Sequence, residues 1–299
     1  MSLVLSTVVL PHRRWNDGAR DDWRGAEELG FATAYTYDHL SWRTFRDGPW
    51  FGAVPTLTAA AAVTERIRLG TLVTNPNFRH PVTLAKDLIS LDDVSGGRIT
   101  LGIGAGTSGF DASVLGAEPW TPRERADRFA EFVELLDQLL RTDEVTSTGT
   151  YYSAHEARNI PGCVQRPRLP FAVAATGPRG LALAARHGQA WVTTGDDKLY
   201  AEGTPAQSDA AIAGQVERLG EACAAVDRDV AEIRKVLLTG FTPEANEPLQ
   251  SFDRFVEFAG RHRDLGFDEI VVHWPIPDSD FAADRDVFEK IATEALGQL

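Results

Sequence analysis

The chain has 299 residues, enough to bury roughly three quarters of its unfolded surface without a disulfide or metal staple. Its 30 basic against 43 acidic residues give a formal charge of −13, which argues against nucleic acid or an anionic membrane as the main partner. Two cysteines, Cys163 and Cys223, are too few for a disulfide framework or a thiolate zinc site, and no apolar run approaches the ~20 residues that span a bilayer.

The N-terminal run Leu3 to Leu10 lacks a basic flank and stops at Pro11. It reads as a buried strand, not a signal peptide. With only two cysteines, a reducing cytoplasm is the expected location. Asp21 to Leu29 reads as a helix closed by Gly30, and Phe31 to Tyr37 as a strand running into Asp38 and His39. Pro55 to Thr64 is Ala-rich and helical, and Ile67 to Val73 is a strand. Pro81 to Val94 is a helix opened by proline, and Arg98 to Ile103 is a strand leading into Gly104-Ala105-Gly106. Pro122 to Leu140 is a long helix with Thr121 as N-cap. Arg141 to Pro170 is weakly patterned and reads as a hairpin-bearing excursion. The alternation then resumes with Phe171–Ala175, Arg179–His187, Ala190–Thr193, Ala206–Val226, Ile233–Leu238, Phe252–Leu265, Glu269–Val272 and Asp284–Leu296.

One unit recurs: a helix ends at glycine, a short apolar run follows, and that run ends in polar or glycine residues. Eight such units in one chain predict an α/β fold, a parallel (β/α)8 TIM barrel with loop insertions, as a single domain over residues 1–299. An open doubly wound sheet is the competing fold. Its dinucleotide fingerprint is missing, because Thr107 stands where Gly102-Ile103-Gly104-Ala105-Gly106 would need its third fingerprint glycine.

In a barrel the polar strand ends form one rim. His39 is then a candidate proton donor, and Trp42 could wall a flat ligand; the bland alternatives are a loop-capping pair and loop packing. Arg79-His80-Pro81 could face an anion or merely open a helix. Thr176-Gly177-Pro178-Arg179-Gly180 joins a strand to a helix. Its N–H groups could nest a phosphate, with Arg179 pairing the anion; Pro178 donates nothing. The seven histidines show no metal-ligand spacing, and no nucleophile elbow or P-loop occurs.

Together these stretches resemble the bacterial luciferase-like monooxygenase superfamily, (β/α)8-barrel enzymes that use FMN or the deazaflavin coenzyme F420. The resemblance runs over nearly the whole chain. It rests on Ala34 to Leu40, Thr64 to Thr71, Arg79 to Lys86, Leu91 to Arg98, Gly102 to Gly106 and Ala174 to Pro178. The Asp-His pair, the Arg-His-Pro loop and the Ala-Ala-Thr-Gly-Pro segment are similar to the F420-dependent branch.

That resemblance implies roles. Asp38 and Asn75 would contact the deazaflavin ring, with His39 beside it as proton donor and Trp42 as its catalytic neighbour. Val73 and Thr74 would form the bulge behind the ring, which in relatives holds a cis non-proline peptide. Ala105 and Gly106 would let the cofactor tail approach, and Thr176, Gly177, Arg179 and Gly180 would hold the phosphate. Trp42, Trp50, Thr107 and Phe110 would meet substrate. Sugar-phosphate dehydrogenases of this branch carry a Glu base directly after the glycine stretch, where this chain has Thr107. The expectation is therefore an F420H2-dependent reductase of an activated C=C or C=N bond in a small organic molecule. An FMN-dependent monooxygenase using O2 is the alternative, and a catalytically silent barrel a third reading. A homodimer is implied by the resemblance alone.

Overall fold

The computed structural model describes residues 3–240, 242 and 246–299. Eight parallel strands close into a barrel in the order β1, β10, β9, β8, β7, β4, β3, β2. These are β1 (Val4–Val8), β2 (Thr33–Thr36), β3 (Arg68–Thr74), β4 (Ile99–Gly104), β7 (Phe171–Ala174), β8 (Ala190–Thr193), β9 (Arg234–Leu238) and β10 (Glu269–His273). Two further strands, β5 (Glu144–Thr148) and β6 (Ser153–Arg158), pair antiparallel outside it. They are the hairpin expected in the Arg141 to Pro170 excursion. The open-sheet alternative is excluded because β1 pairs with both β10 and β2, leaving no edge.

The helices that cover the barrel are α1 (Ala19–Glu28), α2 (Ala53–Ala61), α3 (Pro81–Val94), α4 (Pro122–Arg141), α5 (Pro178–His187), α7 (Pro205–Ala224), α8 (Phe252–Asp264) and α9 (Arg285–Glu294). A short α6 (Asp197–Glu202) precedes α7. Local chemistry sets their ends. The Thr121 hydroxyl accepts from the Glu124 N–H at 3.2 Å, and Pro122 fills the first turn of α4. From there Phe129, Phe132, Val133, Leu136 and Leu140 recur at helical spacing and are all buried against the barrel. Helix α1 ends at Gly30 with φ of +83°, a backbone region open to glycine at little cost. Helix α2 starts two residues before the expected Pro55, because Gly52 takes the extended N-cap geometry and leaves Pro55 within the first turn.

Strand side chains alternate between two cores, as their period of two requires. Tyr35, Ala172, Val192, Val236 and Val271 fill the barrel interior. Their neighbours Ala34, Phe171, Trp191, Leu237 and Ile270 face outward and pack with the helices. The interior positions of β7, Ala172 and Ala174, and the first of β8, Ala190, are small, which leaves room beside them.

Candidate active site at the carboxyl ends of the barrel strands

A cavity of about 790 Å³ opens at the carboxyl ends of the strands, a size that suits an organic ligand. Successive strand ends build its wall: Tyr37 and His39 after β2, Leu72 and Val73 on β3, Asn75 beyond it, Gly104 to Thr107 after β4, Ala174 to Gly177 after β7, and Leu238 on β9. This is the face on which barrel loops converge.

His39 stands on this wall. Its side chain is one-quarter exposed, and its Nδ1–H donates to the Asp111 carboxylate, which is 5% exposed. A carboxylate can only accept, so Nδ1 carries the proton and Nε2 is left to the cavity. The other Asp111 oxygen accepts the Leu40 N–H at 2.8 Å, so the two loops close on each other through one carboxylate. No local sequence signal marks Asp111. It stands in a short helical turn, Phe110–Ala112, of the loop after β4 and meets His39 across 72 positions. Trp42 lines the cavity and packs edge-on to Tyr37 with centroids 5.2 Å apart. Phe110 lines it too, with the Arg46 guanidinium 4.2 Å above its ring.

Three expected contacts lie behind this wall. Asp38 is buried, and its carboxylate is held bidentate by Arg79 at 2.7 and 3.1 Å and by the Thr74 hydroxyl at 2.8 Å. Asp38 and Thr74 therefore brace β2 against β3 rather than face the cavity, because a buried carboxylate needs a cation and donors around it. Arg79, considered above for an anion, is committed to that pair. Trp50 is also displaced from the cavity: its indole N–H donates to the His39 carbonyl at 2.8 Å, which steadies the backbone there. Thr107 does line the cavity, but its hydroxyl accepts the Gly109 N–H at 3.2 Å.

The β3 bulge sits where it was expected: the register against β4 shifts between Thr71 and Thr74, and the Leu72–Val73 peptide is cis. Val73 and Asn75 line the cavity beside it. The Asn75 side chain accepts the Asn77 N–H at 3.0 Å. Asn77 in turn donates to the Thr107 carbonyl at 3.2 Å, tying the β3 and β4 loops together. Gly106 has φ of +74°, and a Cβ there would stand 2.9 Å from the Asn77 Oδ1, so this turn requires glycine.

Opposite His39, Thr176, Gly177, Arg179 and Gly180 line the cavity at the start of α5. The first N–H groups of a helix have no partner within it and carry the positive end of its dipole. Nothing lies within 4 Å of a Cβ built on Gly177, so space stands open above these donors. A Cβ on Gly180 would come 2.7 Å from that of Ala175, so strand and helix meet too closely for a larger residue. Arg179 reaches this rim, yet its guanidinium is paired with Asp127 of α4 and is half exposed. An anion here would share Arg179 with Asp127 rather than find it unpaired.

Known proteins share this fold. Solved folds include an F420-dependent secondary alcohol dehydrogenase in complex with an F420-acetone adduct. It matches at a TM-score of 0.79 with 17% identity, over 98% of this chain and 100% of that one. Among curated sequences, an F420-dependent glucose-6-phosphate dehydrogenase of Beutenbergia cavernae is 40% identical over 59% of this chain and 53% of its own length. A 4-hydroxyprotoasukamycin monooxygenase of Streptomyces nodosus subsp. asukaensis is 34% identical over 60% of this chain and 47% of its own length. The chain thus spans about half the length of the curated relatives it matches. The family model for luciferase-like monooxygenases matches residues 17–246, a stretch running from before α1 to beyond β9. With the barrel, the β3 bulge and the rim site all inside or beside that stretch, the chain belongs to the luciferase-like monooxygenase family.

Proposed function

We propose that this protein is an F420-dependent oxidoreductase that reduces an activated C=C or C=N bond of a small organic substrate. The observation that carries this reading is a single cavity with the His39–Asp111 pair on one side and the open helix-start cradle on the other. Relatives named as F420-dependent dehydrogenases support the choice of cofactor. The residues present fit such a group: about 790 Å³ of space, Val73 on the β3 bulge as a backstop, and the N–H groups of Gly177, Arg179 and Gly180 for a phosphate.

A bound reduced deazaflavin would supply the hydride. The chain's own residues do the rest. His39 takes a proton from solvent at Nε2 and gives it to the substrate, while Asp111 keeps the Nδ1–H and the ring orientation fixed throughout. Trp42 and Phe110 give the cavity an apolar, aromatic wall. Among the described residues Asp111 is the only carboxylate lining the cavity, and it is spent on His39 and Leu40. That favours protonation after hydride addition over abstraction of a hydroxyl proton by a separate base.

Fluorescence titration of the purified protein with F420 and with FMN tests the cofactor. F420 is expected to bind at least tenfold more tightly; tight FMN binding with none for F420 overturns the reading in favour of the flavin monooxygenase. Turnover is tested with reduced F420 and 2-cyclohexen-1-one as the enone probe. A homodimer belongs to the same proposal, and light scattering that returns a single 32.7 kDa species refutes it.

A further inference from the structure

Next to His39, the barrel holds a second polar pair that the proposed chemistry does not use. Tyr37 lines the cavity two residues before His39, and its hydroxyl lies 2.7 Å from Nε2 of His273 at the end of β10. The proton positions follow from the partners. Nδ1 of His273 is 3.0 Å from the Thr239 carbonyl, which can only accept, so Nδ1 bears the hydrogen and Nε2 is a lone pair. Tyr37 must therefore donate its one proton to His273. Burial keeps both groups neutral, pushing the His273 imidazole down to about 3 and the Tyr37 phenol upward. The pair is locked by packing: Phe281 stacks on His273 with centroids 4.3 Å apart, and Trp42 lies against Phe281 at 5.7 Å. A phenol whose proton is already given away offers a ligand only its oxygen lone pairs.

Charge in the rest of the cavity is largely met by neighbours. Among the described residues its Asp, Glu, Lys and Arg side chains are Arg43, Asp111 and Arg179. Asp111 is paired with His39, Arg179 with Asp127, and the Arg43 guanidinium lies 4.7 Å from the Trp42 ring centre.

We infer that Tyr37 is a specificity-determining acceptor, and that the cavity takes an uncharged, largely apolar substrate that presents an O–H or N–H donor to it. This rests on the proposed function and names the substrate class of the same site. A site built to accept from a donor discriminates against its alkylated analogue, because the analogue leaves the buried lone pair without a partner.

Ligand-observed NMR on the full chain, with cyclohexanol, cyclohexyl methyl ether and cyclohexanecarboxylate as probes, tests this without needing turnover. The alcohol is expected to bind about fivefold more tightly than the ether, the factor of one neutral hydrogen bond, and the carboxylate most weakly. Tyr37→Phe should remove the alcohol-to-ether difference. His273→Leu should also collapse it with Tyr37 still present, since the freed phenol proton can then be given to the ether oxygen. Equal affinity of the wild type for alcohol and ether, tightest binding of the carboxylate, or no binding by any probe overturns the inference. So does an unchanged ratio in either folded variant. F420 titration of the same samples separates this outcome from a failure of the cofactor reading.

Discussion

Asp111→Asn is the most incisive change to make. The carboxylate serves two donors at once, the His39 Nδ1–H on Oδ2 and the Leu40 N–H on Oδ1 at 2.8 Å. Asparagine has one acceptor oxygen, so it can satisfy only one of them. If its oxygen stays with Leu40, its NH2 group faces Nδ1 and cannot accept the Nδ1–H, so the doubly protonated ring that gives the Nε2 proton to substrate loses its partner. If its oxygen turns to His39, the Leu40 N–H faces an NH2 group. The folding cost in either case is about 1–2 kcal/mol. The catalytic cost is larger: positioned acid–base catalysis contributes about 10²–10⁴-fold, or roughly 2.7–5.5 kcal/mol of barrier. With reduced F420 and 2-cyclohexen-1-one, kcat should fall at least 100-fold, while the F420 Kd stays within about threefold and Tm drops by only a few degrees. Turnover within tenfold of wild type, or a Kd that rises in step with the loss of kcat, would refute the reasoning.

Three further outcomes are expected. Arg179→Ala should weaken F420 about tenfold, roughly 1.4 kcal/mol, and flatten its salt dependence; an unchanged Kd at low salt removes Arg179 from the cradle. Asp137 joins Arg168 at 2.6 Å, Arg141 at 2.9 Å and His187 at 3.9 Å, and although burial opposes ionisation, hydrogen bonds from His187 and the arginines hold its pKa well below the usual carboxylate range. Its folded pKa is depressed, so its contribution is present above about pH 4 and is lost as pH falls through the folded value. Asp137→Asn should therefore cost roughly 2–3 kcal/mol near neutrality, with the gap from wild type in urea melts closing in acid; a gap that widens in acid contradicts this. Arg98 donates to the carbonyls of Ser95, Ile67, Ala61 and Thr64 and to the Thr64 hydroxyl at 2.8–3.0 Å, pinning the α2–β3 turn to β4. Arg98→Ala should cost about 3 kcal/mol in calorimetry and leave the F420 Kd unchanged; a fall in cofactor affinity alone would mean that Arg98 acts on the site.

The readable part of the site was the part written in contiguous residues. Ala105, Gly106, Thr176, Gly177 and Gly180 reach the cavity because each lies in the turn after a strand or the helix start beyond it, and strand ends on a barrel share one rim. The Asp38–Arg79 pair and Trp50 were harder. Their residue types suit a ligand contact, and only the three-dimensional neighbourhood shows that Arg79 and the His39 carbonyl occupy them. Asp111 could not be read at all. It sits in a loop with no period, and nothing local distinguishes it from Asp47, an exposed acid in a neighbouring loop.

What the sequence determined alone was the alternation of eight strands with helices, because burial on two faces and glycine at helix ends are local requirements that each segment meets by itself. What tertiary structure decided was which polar residues meet. Closing the barrel sets Tyr37 against His273 from the two strands flanking β1, and brings the loops after β2 and β4 together so that Asp111 fixes the tautomer of His39. The 72 residues between that last pair carry no local signal of their contact, since it is the closure of the sheet, and not any spacing in the chain, that sets the distance between them.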